Sequence, residues 1–163
     1  MKLSPLQLEY YFVVESHVTA CRDFKSEEPI SVQASDIEVV PNVKPIGEER
    51  RWEVTLRVQY TPGPEVNTPY TFSIELVGFF TVKPDWPADH VERLVHTNGP
   101  TILFGIARGV VRDITGRGPH PPMILPTASF VPDRTPAPGS SMVSEEAEST
   151  TELPTDNFPE IKN

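Results

Sequence analysis

Four stretches of the chain alternate apolar and polar residues with the period of a β-strand. From Leu6 to Val14, the side chains of Leu6, Leu8, Tyr10, Phe12 and Val14 share one face, and Gln7, Glu9, Tyr11 and Val13 share the other. Ile37 to Val43 is a weaker strand, and Pro41 marks it as an edge or a bulge. Trp52 to Tyr60 alternates without a break: Trp52, Val54, Leu56, Val58 and Tyr60 against Glu53, Thr55, Arg57 and Gln59. Tyr70 to Val82 repeats the pattern, with Val77 and Phe79 intruding on its polar face. Thr61-Pro62-Gly63-Pro64 is turn-rich, so the last two strands are predicted to form an antiparallel hairpin.

The period then changes. Ala88 to His96 is predicted as a short helix with Asp85 as its N-cap and Asn98-Gly99 as its stop. Pro100 suits the first turn of a second, longer helix running to about Thr115. Its apolar stripe is Ile102, Leu103, Ile106, Val110 and Ile114, and Gly116 and Gly118 end it. Gly105 and Gly109 give it one smooth side, suited to close approach. Strands first and helices after predict an α+β fold, a four-stranded antiparallel sheet followed by a short and a long helix. Pro119, Pro121, Pro122 and Pro126 force the next segment to be extended, while Met123, Ile124, Leu125 and Phe130 give it something to bury.

Composition divides the chain in two. The 163 residues carry a formal charge of −9. Residues 133–163 hold seven acidic side chains (Asp133, Glu145, Glu146, Glu148, Glu152, Asp156, Glu160) and two basic ones (Arg134, Lys162). That segment is also rich in Pro, Ser and Thr and has no periodicity. The domain is therefore expected over 1–132 and an acidic disordered tail over 133–163. Net acidity argues against nucleic acid and against anionic membrane surfaces as partners. Residues 1–20 lack the basic start and continuous apolar run of a secretory leader. The single cysteine, Cys21, excludes an intrachain disulfide and fits a reducing cytoplasmic location.

Chemistry is sparse. His17, His90, His96 and His120 show no zinc-ligand spacing with Cys21, so no metal is expected. Cys21 has no adjacent His or basic helix start to lower its pKa, which points to an inert thiol. Gly116-Arg117-Gly118 lacks the preceding strand and the Lys-Ser/Thr ending of a phosphate loop. No cofactor and no catalytic group are expected. An enzyme of hotdog type, acting on acyl thioesters, also wraps an antiparallel sheet on one long helix. Such enzymes place an acid, Asn or His on or beside that helix, whereas here it offers Arg108, Arg112 and Asp113 and falls after the strands.

Three blocks in register carry a resemblance. Ile102-Leu103-Phe104, Ala107-Arg108, Arg117-Gly118, Pro122, Leu125 and Phe130 form one. Trp52 to Val58 and Gly78 to Val82 form the others. Over residues 5–132 the chain resembles the SecB protein-export chaperones. The resemblance implies an α+β protomer and a homotetramer built as a dimer of dimers, with first strands and long helices at the contacts. It implies ATP-independent holding of unfolded polypeptide clients, either for export through the SecA motor or, in toxin–antitoxin systems, for the guarding of an antitoxin. Members that deliver to SecA carry an acidic residue midway along the fourth strand. That position is Ser73 here, with Glu75 two residues on, so Glu75 is the expected motor contact.

Client-binding residues are expected among apolar side chains that the protomer core does not need: Ile37, Val39, Trp86, Met123, Leu125 and Phe130. Tyr11, Val13, Val77 and Phe79 are expected to share one sheet face and to form a subunit interface, because a solvent face rarely carries four such residues. The acidic tail is read as solubilising, with docking to a basic partner as the alternative.

Overall fold

The computed structural model describes residues 3–30, 32–47 and 50–131; the tail lies outside the described residues. The strands are β1 (Leu6–Ala20), β2 (Ile37–Ile46), β3 (Arg51–Tyr60) and β4 (Tyr70–Val82), followed by one helix, α1 (Val91–Thr115). The sheet is antiparallel throughout, in the order β1-β4-β3-β2. β3 and β4 form the expected hairpin, with Arg51 opposite Thr81 and Tyr60 opposite Phe72. Their alternation places Val54, Leu56, Val58, Tyr60, Phe72, Ile74, Leu76 and Phe80 in the core beneath α1. Strand β1 outruns its apolar pattern by six residues because it pairs with β4 all the way to Tyr70.

A single helix replaces the two that Asn98-Gly99-Pro100 suggested. Pro100 lies inside α1 and is buried. It removes one backbone bond, normally a loss of about 3 kcal/mol. Neighbouring side chains add donors there: Asn98 Nδ2 donates to the Leu94 carbonyl (3.0 Å) and Thr101 Oγ1 to that of Thr97 (2.7 Å). Gly99 is no stop. A Cβ on it would lie 2.9 Å from Val54 Cγ2, so it is the point at which the helix backbone meets the sheet. Nor does Asp85 cap the helix. A 3-10 turn, Ala88–His90, leads into it, with no side-chain cap at either start.

The row that α1 buries also differs from the expected stripe. Val91, Val95, Gly99, Leu103, Ala107, Val111 and Thr115 are all buried, in steps of four. Such a row winds by about 40° per step around a helix of 3.6 residues per turn. The sheet covers its start, and the extended segment after α1 covers its end. There Met123 N donates to Thr115 Oγ1 (3.0 Å) and Arg108 Nε to the Leu125 carbonyl (2.9 Å). Ile102, Ile106 and Val110 lie beside the row, half-buried, and Ile114 is exposed. Around Gly105 and Gly109 there is open space, so within the protomer the close approach expected of them happens at Gly99. Gly99→Val is accordingly expected to cost about 1–3 kcal/mol by overpacking. Gly105→Ala is expected to stabilise the isolated protomer by up to about 1 kcal/mol. Denaturant titration of the two variants checks this pair.

Candidate client and assembly surfaces

β1 lies at a sheet edge, and its outer backbone is unpaired among the described residues. Its register on β4 breaks twice. Leu6 and Leu8 oppose Val82 and Phe80; Tyr10 to Val13 oppose Phe79 to Leu76; from Glu15 onwards the pairing shifts again, Glu15 opposing Glu75. Glu9 and Val14 are the extra residues of two β-bulges, each of which reverses the faces. Opposed residues in a ladder share a face. Tyr11, opposite Gly78, and Val13, opposite Leu76, therefore lie on the helix side, not with Val77 and Phe79 as the alternation implied. Tyr10 and Phe12 take their place on the outer face. The Tyr10 ring stacks on Phe79 at 4.6 Å, and Phe12 lies 6.0 Å from the same ring. All five residues from Tyr10 to Val14 are exposed, Tyr10 by 51% and Phe12 by 47%.

Charges on the outer face are mostly paired within the sheet. Arg51 Nη2 meets Glu9 Oε2 at 3.0 Å, and the Thr81 hydroxyl donates to Glu9 Oε1. The hydroxyl first, and then the guanidinium, hold the Glu9 carboxyl below its ordinary pKa. Lys44 Nζ meets Glu53 at 2.8 Å. Glu75 accepts from Arg57 through both Nη2 (2.8 Å) and Nε (3.1 Å), so the carboxylate expected to meet a motor protein already has a partner in its own sheet.

The expected client residues separate. Met123 (3% exposed) and Leu125 (1% exposed) belong to the core and are not available to a client; the intervening Ile124, at 67%, points outward. The polyproline-restrained segment is extended, so alternate side chains face opposite ways, and the hydrogen bonds from Met123 N and to the Leu125 carbonyl fix which set goes in. Ile37 and Val39 are half-buried on the helix side of edge strand β2, opposite Tyr60 and Val58. Phe130 is half-buried edge-on to Phe104 at 6.1 Å. Trp86 borders a cleft of about 280 Å³ with Leu94, Thr97, Asn98 and Val131. Arg50 Nη1 donates to its carbonyl (2.6 Å), and its own indole N–H is buried without a partner among the described residues.

At the far end of the sheet the β1–β2 connection is clamped. Asn67 accepts from Lys25 N (3.0 Å) and donates to the Lys25 carbonyl (2.9 Å), His120 Nε2 meets the Cys21 carbonyl (2.9 Å), and a polar cleft of about 530 Å³ lies between residues 21–28 and 62–68. Burial, and secondly the charge of Asp23, push the Cys21 thiol above its ordinary pKa, away from nucleophilic use. Among the described residues no group of three or more His, Cys, Asp or Glu side chains could hold a metal ion, and no helix is long and apolar enough to cross a membrane.

Residues 18–132 match the family model described as preprotein translocase subunit SecB. A protein-export protein SecB of Acidithiobacillus ferrooxidans is 36% identical over 84 residues, 52% of this chain and 56% of that protein. The SecB of Bartonella quintana is 29% identical over 120 residues, 67% of this chain and 73% of that protein. The chain thus spans little more than half the length of the first of these relatives. Among solved structures, a SecB-like chaperone of Mycobacterium tuberculosis in complex with an antitoxin peptide superposes with a TM-score of 0.58 at 18% identity, covering 77% of this chain and 91% of that one. At that identity the likeness is one of fold.

Proposed function

The chain belongs to the SecB family, and from that premise we propose that it is an ATP-independent holdase that binds unfolded polypeptide and acts as a homo-oligomer, a tetramer in the family's pattern. The observation that carries this reading is the apolar surface the protomer leaves uncovered. Five consecutive apolar residues, Tyr10 to Val14, stand exposed on an open strand edge. Surface of this kind marks a binding site rather than a solvent face. Holding a client needs surface and no chemistry, which agrees with a cysteine whose thiol is pushed up and with an Arg108 engaged on a backbone carbonyl.

Two uses of that surface are assigned. The β1 edge, with Tyr11 and Val13 on the helix side, and the flank of α1 formed by Ile102, Ile106, Val110 and Ile114 pair with other copies. Clients occupy apolar positions that the core leaves half-open: Ile37 and Val39 on β2, Trp86 at the cleft below the start of α1, and Phe130 beside Phe104. Delivery for export follows the relatives, whose names are those of protein-export proteins. Contact with SecA through Glu75 Oε2 would compete with the two hydrogen bonds that this oxygen accepts from Arg57. The cytoplasm is the compartment this reading requires.

Light scattering of the full chain, with and without a reduced, unfolded polypeptide, tests the proposal. The expected result is an assembly whose mass is a multiple of 18.2 kDa and which gains mass with the unfolded polypeptide but not with its folded form. A particle indifferent to unfolded chains would overturn the holdase reading.

A further inference from the structure

We infer that the double bulge makes β1 a register switch, with Glu9 as the positioning residue that holds it in the state seen. Between the bulges only four residues, Tyr10 to Val13, have their faces reversed; on either side the pairing parity is that of an unbroken strand. If the extra residue at Glu9 moves to join the one at Val14, both ends of β1 keep their partners. Tyr10 would then oppose Gly78, Tyr11 would oppose Val77 and Phe12 would oppose Leu76. That exchange brings Tyr11 to the outer face and takes Tyr10 and Phe12 to the helix side.

Register is normally fixed because a one-residue slip moves polar side chains into the core. Here that penalty is absent, since every residue from Tyr10 to Val14 is apolar. What distinguishes the two states is the outer-face bonding. In the bulged state Glu9 reaches Arg51 on β3 and Thr81 on β4, spanning a strand, and the Tyr10 ring stacks on Phe79. In the shifted state Glu9 becomes an ordinary ladder residue opposite Phe79, and the ring stack is lost. The chain thus carries one apolar segment with two faces to offer, Tyr10 with Phe12 or Tyr11 with Val13. The inference concerns β1 alone and stands whether or not the protein is a holdase.

Disulfide trapping in the full chain tests it, with Cys21→Ser removing the native thiol. The pair Phe12→Cys with Val77→Cys closes only in the bulged register, and Tyr11→Cys with Val77→Cys only in the shifted one. With Glu9 in place, the 12–77 bond is expected to form at least about tenfold faster than 11–77, the ratio that 1.4 kcal/mol of preference gives. Glu9→Gln, and separately Arg51→Gln, are expected to raise 11–77 closure about tenfold, with the thermal transition of each variant showing that it is folded. Closure of 12–77 alone in both variants would mean a fixed strand and overturn the switch. Equal closure of both pairs with Glu9 intact would overturn its role as the holding residue.

Discussion

Leu103→Ala is expected to lower the melting temperature by roughly 8–20 °C, whereas Ile106→Ala, one turn along the same helix, lowers it far less in dilute solution. Leu103 is fully buried, with its Cδ2 only 2.8 Å from where a Cβ on Gly78 would stand, and it faces Leu8 across the same point. Removing such a side chain leaves a cavity under the middle of α1. The loss of transfer energy plus the cavity comes to about 2–5 kcal/mol, and a domain of this size loses a few degrees per kcal/mol. Ile106 is half-exposed and forfeits only part of its burial, about 1–2 kcal/mol. The two also differ in concentration dependence. The Leu103 effect belongs to the protomer and is the same at every concentration. The Ile106 effect grows with concentration, because its exposed side is assigned to a neighbouring copy and binding shifts apparent stability by mass action. Calorimetry over a hundredfold range of concentration reads both. Equal, concentration-independent losses would mean that the stripe of Ile102, Ile106 and Val110 anchors the helix after all.

That contrast also marks how far the sequence could be read. β3 and β4 are central strands with one buried face, so their period of two survives intact from Trp52 to Val82. β1 is a strand, as expected, but without the faces expected of it. Its five consecutive apolar residues satisfy either register, so hydrophobic alternation says nothing about where a bulge falls. The bulge at Glu9 is set by contacts to Arg51 and Thr81, which lie 42 and 72 residues away in sequence. On the helix, Asn98-Gly99-Pro100 obeys the local grammar of a stop, and tertiary packing overrides it: Gly99 is there for Val54. Met123 and Leu125 looked free because the sequence shows an extended proline-rich segment but not that Thr115 and Arg108 tie it down along α1. The candidate client surface therefore contracts to Ile37, Val39, Trp86 and Phe130, while Tyr10 and Phe12, which belong to neither expected set, stand exposed on the outer face. No local signal marks the clamp on the β1–β2 connection either, since Asn67 and His120 reach it from remote parts of the chain.

The second large effect is expected in assembly: Tyr11→Asp with Val13→Asp should break the pairing across β1 and reduce the native mass from that of four 18.2 kDa chains to that of two or fewer, the remainder held only by the flank of α1. An edge strand of 15 residues, apolar on both faces at its centre, is a template for pairing with a second strand. Copies of one chain meet most simply across a two-fold axis, which lays β1 antiparallel to β1 and extends the sheet from four strands to eight. Helix-side residues near that axis are then enclosed between the two copies of α1, so a carboxylate there is desolvated without a partner, at a cost of several kcal/mol per charge. A loss of only about 3 kcal/mol already weakens association more than a hundredfold. Lys44→Asp, at the opposite edge of the sheet on β2, removes an ion pair with Glu53 but should leave the mass unchanged. Size-exclusion chromatography with light scattering separates the cases. If the Tyr11 and Val13 substitutions leave the assembly whole while Phe12→Asp dissolves it, the outer face carries the subunit contact. The helix side of β1, with the flank of α1 beside it, would then be open to clients instead.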